Sequence, residues 1–129
     1  MPDAALVLVV EDDPETRRYY ADALSRGGFE THQAHNGLQA LQKAIDLRPA
    51  LILTDIAVPG IDGIELLRRL RADTRTSSIP VIAITGYDDR QYVDRALGAG
   101  AVHVLTKPCD SEALINEARQ ILAGVRTAR

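Results

Sequence analysis

Five strand-like segments, four of them short apolar runs, alternate with segments of helical spacing, and this pattern constrains the fold of the chain more than any other feature. The runs at 5–10, 51–54 and 81–85 are rich in β-branched residues, which is typical of strands buried on both faces. The run at 29–35 alternates weakly and predicts an edge-side strand, and the last run spans 101–105. Strands that alternate with helices form a parallel sheet with right-handed crossovers and helices on both faces. The sequence therefore predicts an α/β fold with a single five-stranded parallel sheet.

Helix signals occupy the segments between these runs. Pro14 favours a helix start, and the glycine pair at 27–28 favours its end near Arg26. The Asn-Gly pair at 36–37 is interpreted as a turn. Apolar residues recur with helical spacing in four later segments, at about 38–45, 64–70, 90–97 and 114–125.

Length and composition narrow the class of protein. The 129 residues suit one domain, with an expected core of about residues 5–125. No apolar run approaches the roughly 20 residues that a membrane helix needs, and the N-terminus lacks the basic flank of a signal peptide. The net charge is -3, there is no Trp and no basic recognition helix, so direct binding of nucleic acid is not expected. Cys109 is the single cysteine, which excludes an intrachain disulfide, and a cytoplasmic location is predicted.

Polar residues gather at the carboxyl ends of four predicted strands. Glu11 and Asp12 follow the first strand, and Asp55 follows the third. Thr85 ends the fourth strand, and Lys107 follows the fifth. In an open parallel sheet these ends lie along one edge, where such folds bind ligands. Residues far apart along the chain are therefore predicted to converge in one acidic pocket.

The chemistry of that pocket favours a metal and a phosphoryl group. Clustered carboxylates repel one another unless a cation neutralises them, and oxygen ligands favour a hard ion such as Mg²⁺ or Mn²⁺. An ammonium and a hydroxyl that face the same point are ligands for phosphate. A carboxylate in such a place accepts a phosphoryl group as an acyl phosphate. The residues therefore predict metal-assisted phosphoryl transfer to Asp55.

Four motifs resemble the receiver domain of bacterial two-component response regulators. They are VLVVEDDP at 7–14, ILTDIAVPGIDG at 52–63, PVIAITG at 80–86 and GAGAVHVLTKP at 98–108. Their order and spacing cover nearly the whole chain. The resemblance implies a flavodoxin-like (βα)5 fold with strand order 2-1-3-4-5.

The resemblance also implies roles for the residues around the third strand. Asp55 corresponds to the phospho-acceptor, and Asp12 to a direct metal ligand, with Glu11 acting largely through water. The backbone carbonyl of Ala57 corresponds to a further metal ligand. In the family, the side chains at the positions of Ala57 and Tyr87 flank the phosphoryl group and influence its lifetime.

Further roles implied by the resemblance lie on the fourth and fifth strands. Thr85 corresponds to the switch hydroxyl that binds phosphoryl oxygens, and Lys107 to the lysine that bridges carboxylate and phosphoryl group. Pro108 is expected to follow Lys107 through a cis peptide bond. Two positions that often carry aromatic residues in the family hold Val104 and Cys109 here. Because valine has no ring to swing inward, we expect the response to Thr85 to spread through residues 86–97 instead.

Membership of this family would imply a signalling domain that catalyses only its own phosphorylation and dephosphorylation. The implied partner is a histidine kinase or a histidine phosphotransfer protein. The sequence leaves open whether the domain stands alone or begins a longer regulator. It also leaves open a phosphorylation-dependent dimer.

Each site residue also has a plainer interpretation. Asp13 is interpreted as a helix cap, and Asp12 fits either a cap or a metal ligand. Asp55 alone fits a turn, Thr85 alone fits a strand end, and Lys107 alone fits a solvated surface. Four separate structural explanations would have to coincide at one edge of the sheet, so a shared functional site is the favoured interpretation.

Two other classes of protein remain as alternatives. A haloacid dehalogenase-type phosphatase or phosphotransferase needs a D-x-D pattern after the first strand, where this chain has Glu-Asp-Asp. A flavodoxin-like cofactor binder needs a hydroxyl- and glycine-rich loop there. The three histidines at 32, 35 and 103 are interpreted as surface or strand-edge residues, and Cys109 as a partly buried small residue. Solvated helix faces are predicted for the arginines at 17, 18, 26, 68, 69 and 71.

Overall fold

The computed structural model describes residues 4–56, 61–86 and 90–127, with side chains described as far as residue 124. Within these residues five strands alternate with five helices, as predicted. No helix in the described parts of the chain has the length and apolar character needed to cross a membrane. The elements are β1 (Leu6–Val10), α1 (Pro14–Arg26), β2 (Glu30–Ala34), α2 (Gly37–Leu47), β3 (Leu51–Asp55), α3 (Gly63–Ala72), β4 (Val81–Thr85), α4 (Arg90–Gly98), β5 (His103–Thr106) and α5 (Ser111–Thr127).

The sheet is parallel throughout and has the order β2-β1-β3-β4-β5. This confirms the flavodoxin-like topology. At the carboxyl edge Asp55 pairs in register with Ile84, and Thr85 pairs with Thr106. The register therefore brings the last residues of β3, β4 and β5 to the same level of the sheet.

Helices cover both faces of the sheet, and the core divides into two clusters. Alternate residues of a strand point to opposite faces, so Leu8 belongs to one cluster while Val7 and Val9 belong to the other. The first cluster packs under α2, α3 and α4, with Leu67 among its buried residues. The second packs under α1 and α5, with Leu24 among its members. All residues of β3 and β4 are buried, as predicted for strands covered on both faces.

Helix starts follow capping chemistry. Asp13 is the N-cap of α1, as predicted, and its carboxylate accepts the Thr16 N–H at 2.9 Å. The turn predicted at 36–37 is instead the start of α2. Asn36 caps this helix by accepting the Gln39 N–H at 2.7 Å. The prediction was wrong here because asparagine is favoured in turns and at N-caps for the same reason, its short hydrogen-bonding side chain.

β5 begins later than the predicted run at 101–105. Gly100 has a φ of 119°, and the Ala101 N–H still donates to the Ala96 carbonyl of α4. The ladder with β4 starts only where the Val102 N–H donates to Val81. The apolar residues that follow α4 therefore close the helix before the strand starts.

Arg71 corrects another prediction, because its head group does not lie on a solvated face. The guanidinium donates to the Gly100 carbonyl at 3.0 Å and to the Ser77 carbonyl at 2.8 Å. Burial lowers the pKa of Arg71. A Cβ on Gly100 would lie 2.6 Å from Arg71 Nε, so the glycine makes room for the arginine. Arg68 and Arg69 are exposed, as predicted, and pair with Glu65.

Candidate functional site

Four strand ends bring the predicted polar residues to one edge of the sheet. Glu11 directly follows β1 and is 2% exposed. Asp55 ends β3 and is 5% exposed, while Thr85 ends β4 and is 1% exposed. Lys107 directly follows β5, and its side chain is 34% exposed. The site therefore combines three buried polar groups with one lysine whose ammonium reaches two of them, Glu11 and Asp55, from the surface.

Lys107 links the two buried carboxylates. Its Nζ lies 2.5 Å from Asp55 Oδ2 and 3.2 Å from Glu11 Oε1. Its backbone N–H donates to the Thr85 carbonyl at 2.8 Å, which continues the ladder between β4 and β5 beyond the strand. The Lys107-Pro108 peptide bond is cis, as expected. The sheet thus determines where the lysine starts, and the carboxylates determine where its ammonium lies.

The electrostatics of the site are dominated by burial of Glu11. Burial raises the pKa of Glu11, the hydrogen bond and the charge of Asp55 add to the shift, and together they bring it to about 7. Burial lowers the pKa of Lys107, but the hydrogen bond and charge of Asp55 outweigh this and hold it above its ordinary value. The ammonium therefore keeps its charge, and one positive group faces two buried carboxylates. Two carboxyl groups that face a single ammonium can therefore accept a further cation.

The donor chemistry of the site suits a hard divalent cation. Asp12 is exposed at the rim, and its side chain makes a smaller contribution to the raised pKa of Glu11, so the two carboxyl groups are neighbours. Ala57, the expected source of a backbone ligand, lies outside the described residues. Over 4–56, 61–86 and 90–127, no three His, Cys, Asp or Glu side chains form a ready metal cage. Mg²⁺ retains several waters and needs only one or two carboxylates, so Glu11, Asp12 and Asp55 fit it.

Gly63 is a site feature that the sequence analysis did not identify. Its N–H donates to the Ile56 carbonyl at 2.6 Å, so the start of α3 folds back against the residue after Asp55. A Cβ on Gly63 would lie 2.6 Å from Ile56 Cα and 2.8 Å from the Asp55 carbonyl oxygen. The segment after β3 therefore requires glycine at this position. A glycine at a helix start was the only signal in the sequence.

A groove of about 770 Å³ opens beside Lys107, between α1 and the segment that follows β5. Cys109 lies in it half-buried, as predicted, and burial raises the pKa of its thiol. The thiol is therefore protonated and poorly reactive at neutral pH. The groove therefore borders the Lys107 edge of the site. It is lined by Asp13, Glu15, Thr16, Tyr19, Tyr20, Lys107, Pro108, Cys109 and Asp110.

The remaining predicted residues lie away from the site. His32 and His103 are half-buried, with acidic neighbours at 3.6 Å and 3.5 Å, and His35 is exposed. Val104 is half-buried against the core cluster under α4. Tyr87 lies outside the described residues.

Comparison with known proteins identifies relatives along almost the whole chain. The family described as the response regulator receiver domain matches residues 7–119. Protein PilH of Pseudomonas aeruginosa is 36% identical over 122 residues, which cover 93% of this chain and 99% of PilH. Sporulation initiation phosphotransferase F of Bacillus subtilis is 33% identical and is covered to 92%. Chemotaxis response regulator CheY4 of Vibrio cholerae is similar in structure, with a TM-score of 0.86, 26% identity and coverage of 92% of this chain and 98% of CheY4.

Several other curated relatives are much longer than the matched region. The chain spans 48% of the transcriptional regulator RpaA of Synechocystis, 51% of the regulator PhoB of Pseudomonas aeruginosa and 23% of the regulatory protein AtoC of Escherichia coli. The haloacid dehalogenase alternative finds no support among these relatives. The chain belongs to the response regulator receiver family and is a phospho-accepting switch of two-component signalling.

Proposed function

We propose that Asp55 is the phospho-acceptor and that Lys107, Thr85 and a divalent cation assist the transfer. The observation that carries this proposal is the position of the Lys107 ammonium, between Asp55 and Glu11 at the carboxyl edge of the sheet. A buried carboxylate held by a lysine has positive charge beside it that can meet an incoming anionic group. The donor is a phosphohistidine on a histidine kinase or a histidine phosphotransfer protein, and the transfer takes place in the cytoplasm.

In this reaction a carboxylate oxygen of Asp55 attacks phosphorus. The phosphorus–nitrogen bond of the donor breaks, its electron pair stays on the imidazole, and the imidazole takes a proton from solvent. Lys107 neutralises charge that develops on the phosphoryl oxygens, and the Thr85 hydroxyl donates to one of them. Phosphoryl transfer depends mainly on such positioning and charge neutralisation. The group is lost when water attacks the same phosphorus: the bond from phosphorus to the Asp55 oxygen breaks, Asp55 returns to a carboxylate, and inorganic phosphate is released with a proton passed to solvent.

The cation would be Mg²⁺ or Mn²⁺, held by Glu11, Asp12, Asp55 and the backbone carbonyl of Ala57. When bound, it supplies positive charge to the phosphoryl oxygens. Glu11 and Asp55 are already held in place by Lys107, whereas the Asp12 side chain is exposed at the rim of the site.

Asp55→Asn is expected to abolish covalent labelling by acetyl phosphate in the presence of Mg²⁺. Asparagine keeps the shape of the side chain but lacks the nucleophilic oxygen pair of a carboxylate. Intact-mass and peptide mass spectrometry would measure the added phosphoryl group and locate it. Asp94→Asn is the control, because Asp94 is an exposed aspartate on α4. Labelling of Asp55→Asn at the rate of the unmodified protein would refute the assignment.

Asp12→Ala is expected to weaken Mg²⁺ binding about tenfold or more, whereas Asp13→Ala should leave it within about twofold. Asp12 lies beside Glu11, while the Asp13 carboxylate is engaged by Thr16 at the start of α1. Asp13→Ala should instead destabilise the protein by about 1 kcal/mol through loss of the helix cap. Calorimetric titration with Mg²⁺ and thermal unfolding separate the two effects. Equal losses of affinity would contradict the ligand assignment.

A further inference from the structure

Arg17 reaches the backbone of the turn that carries the acidic residues. It lies on α1, and its Nη1 donates to the Glu11 carbonyl at 2.9 Å. The Asp12 carbonyl lies 3.5 Å from the same nitrogen. Nε donates in another direction, to Gln33 Oε1 on β2 at 3.0 Å. The prediction of a solvated helix face was therefore wrong for Arg17, because its fork joins the turn after β1 to the neighbouring strand.

The other polar atoms of Glu11 are also engaged. Its N–H donates to the Ala34 carbonyl at 3.1 Å, and Oε1 accepts from Lys107. Oε2 accepts the Asp13 N–H at 3.2 Å, and the carbonyl is held by Arg17. Asp12, the next residue, has an exposed side chain. The orientation of Asp12 therefore depends on the backbone of the turn, and Arg17 holds that backbone through the Glu11 carbonyl.

We propose that Arg17 is a positioning residue that sets the divalent-cation affinity of the phosphorylation site by fixing the turn between β1 and α1. This inference rests on the proposed function, since it assumes that Asp12 and Glu11 bind the cation. Groups behind the direct ligands orient them, and their loss commonly weakens metal binding tenfold or more. Arg17 acts through peptide carbonyls, not through contact with the metal.

The direction in which Mg²⁺ affinity changes when Arg17 is replaced distinguishes a positioning role from a purely electrostatic one. Arg17 is a cation near an acidic pocket, so its charge opposes the binding of another cation. Removing that charge should strengthen Mg²⁺ binding if charge alone matters. Removing the positioning contact should weaken it. Arg18 is the matched control, because it is the next residue on α1, is exposed and carries the same charge.

The test is a calorimetric Mg²⁺ titration of the unmodified protein, Arg17→Ala, Arg17→Lys and Arg18→Ala. We expect Arg17→Ala to raise the dissociation constant about tenfold, and Arg18→Ala to leave it unchanged or slightly lower. Arg17→Lys keeps the charge but loses the planar fork, so it should remain several-fold weaker than the unmodified protein. The Mg²⁺ concentration that gives half-maximal labelling by acetyl phosphate should shift in parallel.

Two further variants make the result decisive. Gln33→Ala keeps Arg17 and its charge but removes one of its partners, so it should weaken binding in the same direction and serves if Arg17→Ala does not fold. Asp12→Ala reports on the proposed function itself. If Asp12→Ala loses affinity while Arg17→Ala and Gln33→Ala bind like the unmodified protein, the positioning role is overturned and the metal assignment stands. If Asp12→Ala binds normally, both are overturned.

Discussion

Gly63→Ala is expected to lower the free energy of unfolding by about 3 kcal/mol. The added Cβ would lie 2.6 Å from Ile56 Cα, 2.8 Å from the Asp55 carbonyl oxygen and 2.9 Å from the Ile56 carbonyl oxygen. All three atoms belong to the backbone, so no rotation of a side chain relieves the contact. The start of α3 must therefore move away from β3, and the Gly63–Ile56 hydrogen bond of 2.6 Å must lengthen. Urea unfolding of both proteins measures the difference.

Gly98→Ala is the control for this substitution. Gly98 also lies in a helix, but a Cβ there would meet nothing within 4 Å. Alanine loses less conformational freedom on folding than glycine, so this variant should be stabilised by about 0.5 kcal/mol. Because the strain in Gly63→Ala is centred beside Asp55, labelling of that variant by acetyl phosphate should also slow. If Gly63→Ala were as stable as Gly98→Ala, the segment after β3 would accommodate the added Cβ without strain, and the prediction would be wrong.

In metal-free buffer, the stability of the protein is expected to fall as the pH rises from about 5 to about 8, by on the order of 3 kcal/mol. Glu11 has an ordinary pKa of 4.5, which burial, together with the hydrogen bond and charge of Asp55, raises to about 7 in the folded protein. Between these values the unfolded chain releases the proton while the folded protein keeps it, so rising pH favours unfolding. Above the folded pKa the full cost of ionising a buried carboxyl group is present. Lys107, whose pKa lies above its ordinary value, keeps its charge throughout this range.

Glu11→Gln should flatten this pH dependence, because glutamine cannot ionise. Urea unfolding of both proteins in buffer that contains a chelator, at several pH values, measures the effect. The pKa of Asp73, about 2 in the folded protein, acts in the opposite direction but only below the range considered. Parallel stability profiles for Glu11→Gln and the unmodified protein would mean that Glu11 is ionised at low cost.

The periodicity of apolar residues predicted the strands and helices, because the buried faces of these elements recur at regular intervals along the sequence. A strand covered on both faces needs a continuous apolar run, and the runs at 51–54 and 81–85 became β3 and β4 with every residue buried. The convergence of Asp55 and Lys107 followed from the same pattern, since strand ends of a parallel sheet share one edge. Strand order and the cis bond before Pro108 came from family resemblance, because neither has a periodic signal.

The contacts of Arg17 and Arg71 could not be predicted from the periodicity of the sequence. An arginine on a polar helix face has the same pattern whether its head group meets water or a backbone carbonyl. The difference depends on what the next element places within reach, which here is Gly100 for Arg71 and the turn after β1 for Arg17. The late start of β5 had a similar cause, since closure of α4 used the first residues of the apolar run.

The helices α3 and α4 are buried to different extents, and this difference determines which of them unfolds locally at lower free energy. α3 buries five residues, whereas α4 buries Ala96 alone. Few buried contacts mean a low free energy of local unfolding, so the amide hydrogens of α4 should exchange with solvent sooner than those of α3. The far end of α4 is held through Gly100 by Arg71, while its first residue follows the segment after Thr85. A change at Thr85 is therefore expected to reach α4 at the end of the helix opposite its attachment to Arg71, and local unfolding of α4 would expose the face of the sheet that this helix covers.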